Sequence, residues 1–313
     1  MEEKKACCHK TSIGGQALIE GVMMRGPKLS AMATRMPDQS IDTETWENKG
    51  VGAWYKKVPF IRGIFNLVDS LVIGYTCLMK SAEKSGMDLE DEEPGKFEKW
   101  LTEKLGDSMM KVISGFAMVL GVVLALLLFM VIPTYAIKFL DMAVPLGGMK
   151  TALEGILKIA IFILYLALVA RMPDIRRVFE YHGAEHKTIA CYEAGDALTV
   201  ENVRKYTRFH PRCGTSFLIL VVIVSVFLYS VLPWSSTGLR VVFKLLLLPL
   251  VMGISYELLK WCGRSDNIAT RIIRQPGIWV QHLTVFEPDD SMIEVAIAAV
   301  TPVLPEGPED GRW

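Results

Sequence analysis

Val112-Ile-Ser-Gly-Phe-Ala-Met-Val-Leu-Gly-Val-Val-Leu-Ala-Leu-Leu-Leu-Phe-Met-Val-Ile-Pro-Thr-Tyr-Ala-Ile137 runs for 26 residues without an Asp, Glu, Lys, Arg or His. A helix rises about 1.5 Å per residue, so about 20 apolar residues cross the hydrocarbon core of a bilayer. The stretch therefore reads as a transmembrane helix, and Gly214 to Leu239 is a second run of the same kind and length. Two shorter charge-free segments, Ile159–Ala170 and Leu245–Tyr256, are preceded by Lys158 and Lys244. Those lysines can snorkel and extend each segment toward spanning length. The expected fold is a mainly α-helical integral membrane protein. About four transmembrane helices, near 112–137, 153–172, 214–233 and 240–259, form two hairpins turned at Pro145–Gly148 and Pro233–Gly238.

The composition agrees with a divided chain. With 313 residues, 51% apolar, 22% charged and a mean hydropathy of +0.32, it is too apolar for an ordinary soluble enzyme and too charged to be membrane throughout. A net charge of +0 argues against a nucleic-acid partner. The bilayer is then the expected partner. Residues 1–105 read as an N-terminal region and 106–313 as a membrane domain with a long loop, 173–213, and a C-terminal amphipathic region, 264–300. Eight Lys and Arg lie between Arg171 and Cys213, against five in the two turns. Positive residues stay in the cytoplasm, which places that loop and both termini on the cytosolic face. Cys7, Cys8, Cys77, Cys191, Cys213 and Cys262 fall on or near the same side and are expected as reduced thiols. Met1–Gly15 is charged and lacks an apolar core, so no cleaved signal peptide is expected.

Gly14, Gly15, Gly21 and Gly26 fall within one short stretch, implying tight turns or a close backbone approach; no Gly-Lys-Ser/Thr end follows to make a phosphate loop. Ser30–Arg35 and Ile41–Trp46, separated by a polar turn, read as a β-hairpin. Apolar residues from Phe60 to Tyr75 recur at helical spacing, with Arg62, Asn66 and Asp69 on the other side. That amphipathic helix either lies in the membrane interface or packs on other helices. Ser85–Gly95 is an acidic linker, and Phe97–Gly106 a helix leading into the first span.

The chemistry concentrates in the cytosolic loop, expected as a helical hairpin: Ile175–Ala194, stopped by Gly195, then Val200–Phe209, capped by Thr199. His182-Gly-Ala-Glu185-His186 stacks two imidazoles on one helix face with a carboxylate beside them, the H-x-x-E-H pattern. Neutral imidazoles suit zinc, and Glu185 would act as general base on an activated water. Glu193 is about 10.5 Å along the axis from His186 and cannot share their ion. His210 and Cys213 are the better further ligands, with Glu257 and Glu20 as carboxylate alternatives. Each has a plain counterpart: a solvated His pair, a turn histidine, a buried cysteine, an i, i+3 pair of Glu257 with Lys260. Cys7-Cys8-His9 lacks the partners of a zinc finger, and His282 reads as a packed core or interface histidine. Asp290 caps a helix, Met292–Val300, ahead of an acidic tail.

Gly14 to Pro27, Tyr181 to Lys187, His210 to Phe217 and Glu287 to Asp290 resemble the signature segments of the YqhQ-like family, over roughly Ser12 to Val300. The resemblance implies a multi-pass protein of the bacterial plasma membrane, predicted to be metal-dependent, and no particular substrate. Soluble peptidases with the inverted motif take a third ligand from a glutamate on a later helix. No matching second motif exists in this chain, so proteolysis does not carry over. Three readings follow: a metal-dependent hydrolase on the cytosolic face, a non-enzymatic scaffold or assembly factor with a structural metal or none, and, least favoured because the span centres lack charge, a transporter.

Overall fold

The computed structural model describes residues 11–48, 54, 58–86 and 109–305, with side chains from 115 onward in the last segment. The expected helix Phe97–Gly106, the Cys7-Cys8-His9 group and most of the acidic linker and tail lie outside the described residues. The chain divides into two compact units.

The first unit is built on a four-stranded antiparallel meander: β1 (Gly14–Leu18), β2 (Gly21–Arg25), β3 (Leu29–Arg35) and β4 (Ile41–Glu47). The expected hairpin is β3–β4, with Arg35 opposite Ile41. The glycine-rich stretch, read only as turns or close approach, forms a second hairpin, β1–β2, with Leu18 opposite Gly21. Side chains alternate across a strand. Val22, Met24, Ala31 and Ala33 thus face one core, while Met23, Met32 and Leu18 face another. The first core is closed by α5 (Pro173–Ala194) and α10 (Asp290–Val300), through Tyr181, Ala184, Ile293, Ala296 and Val300. The second is closed by Ile73, Cys77 and Leu78 of α1 (Ile61–Lys84). Both faces of this small sheet are therefore covered.

The helices follow local chemistry. Met109–Leu126 (α2) passes through a π turn, Leu127–Val131, into Ile132–Ala143 (α3). Pro133 has no N–H and its ring would meet the carbonyl four residues back, at Phe129; the widened turn accommodates it. Lys150–Val169 (α4) precedes α5, which ends on Gly195 in the left-handed region (φ 81°). Val200–Arg204 (α6) is shorter than the helix expected to Phe209. The Arg204 carbonyl that would continue it accepts instead from Lys187 Nζ at 3.0 Å. Gly214–Tyr229 (α7) is followed by Thr237–Arg264 (α8) and Ile268–Thr284 (α9).

Among the described residues, four helices are long and apolar enough to cross a membrane: Ile61–Lys84, Gly115–Ala143, Gly147–Val169 and Thr237–Arg264. Two departures from expectation stand out. The segment near 214–233 is helical for only 16 residues, because Pro233 cannot accept a helix running past the Tyr229 carbonyl. The amphipathic α1 meets the length and composition of a span, although its C-terminal half packs on the sheet, with Lys80 and Lys84 paired to Glu44.

In the second unit the lysines do not snorkel. Glu154, Lys158, Arg240 and Lys244 are only 3%, 5%, 1% and 0% exposed. Glu154 accepts from Thr134 Oγ1 (2.7 Å), Arg240 (3.0 Å) and Lys244, while Lys158 bonds Ser225 (3.0 Å) and lies over the Tyr229 ring. Arg240 also donates to the Tyr229 and Leu232 carbonyls where α7 stops. The expectation that snorkelling carries Lys158 and Lys244 to the surface fails because each finds an internal partner, which costs less than reaching water from inside the unit.

Candidate metal centre

The site forms where α5 meets the start of α7. His182 and His186 share one face of α5, their ring centroids 4.4 Å apart. His182 Nδ1 faces the Thr284 carbonyl at 3.0 Å and His186 Nδ1 the Arg208 carbonyl at 2.6 Å. A carbonyl only accepts, so each Nδ1 carries a proton, and Nε2 is the atom that each imidazole can offer an ion once any second proton is released. Hydrogen bonds from the far ring nitrogen to a backbone carbonyl orient metal-binding imidazoles in this way. His182 Nε2 meets Cys213 Sγ at 3.1 Å. One ligand atom from each of His182, His186 and Cys213 lies within 4.8 Å of the others. Tetrahedral zinc ligands stand roughly 3.3–3.6 Å apart, so small side-chain shifts would close the group on an ion.

Cys213 precedes α7, and its sulfur accepts from the Thr215 N–H at 3.4 Å. Burial opposes its thiolate, but His182 and His186 outweigh that and hold the thiol well below its ordinary range. Burial likewise opposes a charged His182, and the thiolate overrides it, pushing the imidazole up to about 9. Glu185 is buried beside them, its carboxyl pushed up by burial against both imidazoles. One oxygen, Oε2, has no hydrogen-bond partner, and the Gly15 N–H serves the carboxylate. Gly15 is required there: a Cβ would stand 2.8 Å from Glu185 Cδ and 2.7 Å from the Met23 carbonyl oxygen.

The other sequence candidates go elsewhere. His210 lies beside His186, ring centroids 5.5 Å apart, but its Nε2 faces Arg212 (3.3 Å) and Glu193 (3.9 Å). Burial holds it neutral, down to about 4, against the pull of Glu193. Glu193 also binds Thr11 and Arg212, and stays ionised, down to about 2, because those partners outweigh its burial. Glu20 is taken by Arg177 and Tyr181, and Glu257 by Arg62, so neither reaches the imidazoles. His282 is exposed, stacked on Phe209, because its neighbour Gln281 takes the buried position. Gln281 accepts from His210 N and donates to His210 O and Ser216. Sequence reasoning passed over Gln281; an amide inside an apolar helix segment was the available signal.

Residues 58–306 match a family model described as a protein of unknown function, DUF1385. The chain belongs to this family. It is 34% identical over 294 residues to the "Uncharacterized protein YqhQ" of Bacillus subtilis (strain 168), covering 93% of this chain and 92% of that one. The YqhQ-like resemblance read from the motifs holds across nearly the whole family member. Neither description names a metal, and no solved structure matches.

Proposed function

We propose that this protein is a multi-pass membrane protein of the bacterial plasma membrane, with loop 173–213 on the cytosolic side, and a metal-dependent hydrolase. The observation that carries the reading is the pair of imidazoles whose Nδ1 protons are spent on backbone carbonyls, leaving both Nε2 atoms beside the Cys213 sulfur. Two nitrogens and a thiolate form a donor set suited to zinc. Three protein ligands with His210 turned away favour a site with an open position, as catalysis needs, over a closed structural one. A divalent ion bound there would supply Lewis acidity. Glu185, with a free buried oxygen, would take the proton of an attacking water and pass it to the leaving group. The Gly15 N–H and the Thr284 and Arg208 carbonyls hold the general base and the imidazoles in position.

Metal analysis of the purified protein tests the reading. About one ion per chain is expected, lost in His182→Ala/His186→Ala and retained in Glu185→Gln. No stoichiometric metal, or metal unchanged in the double variant, refutes it. A second reading, transport, draws support from the buried Glu154 cluster, since ionisable groups inside membrane segments mark translocation pathways. Flux into proteoliposomes that disappears in Glu154→Gln would carry it.

A further inference from the structure

Helix α9 has two faces with different work. At 100° per residue, Ile268, Ile272 and Trp279 fall within about 40° of one another, and Gly277, Gln281 and Thr284 lie about 120–180° away. The inner face serves the candidate centre: the Thr284 carbonyl accepts from His182, Gln281 holds His210, and Gly277 closes on Ser216. The outer face is apolar and open, with Ile268, Ile272 and Trp279 at 78%, 67% and 63% exposure.

What covers that face is indicated by its neighbours. α9 starts four residues after Arg264 ends α8, a helix long enough to cross a membrane, so its first residue lies within ~14 Å of that end. Trp261, at that same end, is also exposed, and tryptophans gather where spans leave the bilayer. Arg264, Arg271 and Arg274 stand against the single carboxylate of Asp266, a balance suited to anionic headgroups. A helix with side chains is about 10–12 Å across, so the centre sits one helix diameter beneath this outer face. Cys213 itself immediately precedes the apolar α7.

We infer that Ile268, Ile272 and Trp279 lie in the cytosolic leaflet of an anionic bilayer, and that the His182–His186–Cys213 centre acts on a membrane-borne, lipid-linked substrate. The substrate class rests on the hydrolase reading above; the position of α9 does not. α9 then forms the partition between leaflet and centre, and an amphiphile need travel only past its edge.

Two measurements test this on the full chain in liposomes containing phosphatidylglycerol. The first compares fluorescence quenching of the wild type and Trp279→Phe by acyl chains brominated near the headgroup and by aqueous iodide. A Trp279 component quenched several-fold more by the lipid is expected; one quenched by iodide and not by lipid overturns the position of α9. Zinc content is read on the same samples. Zinc present without lipid quenching overturns this inference alone, and quenching without zinc overturns the metal reading alone. In the second, chelator-treated protein is exposed to a long-chain N-alkyl maleimide or a sulfonated one, and modification of Cys213 is mapped by peptide mass. Labelling several-fold faster by the alkyl reagent is expected. Equal or faster labelling by the sulfonated reagent overturns the substrate class.

Discussion

Gly183→Ala opposes two effects of known sign. In the interior of a helix such as α5, Gly to Ala contributes about 1 kcal/mol of stability by propensity alone. At Gly183, however, a Cβ would overlap the Phe286 carbonyl oxygen and stand 3.1 Å from Pro288 Cδ. The segment that carries both is tied to α5 by Phe286 N to Phe179 O at 3.0 Å and by His182 Nδ1 to Thr284 O at 3.0 Å. Restoring ordinary contact moves it by roughly 1 Å. A 3.0 Å bond stretched by that much is no longer a hydrogen bond. Overpacking of this kind costs about 1–3 kcal/mol, so the net change is destabilising, by up to ~2 kcal/mol. Loss of the bond that orients His182 weakens metal binding by about 10–100-fold, or about 1.4–2.8 kcal/mol. Thermal unfolding in detergent and zinc titration against a competing chelator measure the two effects. Gly148→Ala, where a Cβ meets nothing within 4 Å, is the control. A Gly183→Ala protein with unchanged or higher stability and zinc affinity within twofold of wild type would refute the reasoning.

Gly15→Ala should destabilise by about 1–3 kcal/mol, because its Cβ meets Glu185 and a strand carbonyl; combined with Glu185→Ala the loss should shrink, and strict additivity of the two would remove the contact from the argument. Glu154→Ala should cost about 3–5 kcal/mol in detergent melts by leaving Arg240 and Lys244 without their carboxylate, whereas unchanged melting would mean those charges are satisfied without it. Acid should destabilise the fold between pH 6.5 and about 4: there the unfolded chain protonates His210 while the folded one does not, so stability falls with falling pH by on the order of 3 kcal/mol. Glu193, ionised down to about 2, adds a further loss of the same sign below pH 4.5, while Glu185 opposes it; a His210→Gln protein that keeps the full pH 4 to 6.5 slope would show that His210 is not its source.

Much of the architecture was legible in composition. A 26-residue run free of charge has few physical solutions, and Val112–Ile137 lies within the continuous helical stretch Met109–Ala143, of which Gly115–Ala143 is long and apolar enough to cross a membrane. Cap chemistry also read directly: Gly195 ends α5 and Thr199 accepts from Asn202 N, because these depend on residues a few positions apart. The β1–β2 hairpin was hidden because glycine carries no side chain with which to show a strand's alternation. Lys158 and Lys244 were misplaced because snorkelling is decided by whether a carboxylate waits inside, and Glu154 belongs to another helix from Lys244.

For the candidate centre the division is sharper. The chain by itself determined that His182, Glu185 and His186 share a helix face, since 3.6 residues per turn is a property of the backbone. Only the tertiary structure decided what joins them. Cys213 lies 31 residues from His182, and Thr284 lies 102. His210, only three residues before Cys213, is turned aside by Glu193 and Arg212. Contacts of that kind are selected by burial and by the need to pair every buried donor and acceptor, a condition that no local spacing expresses.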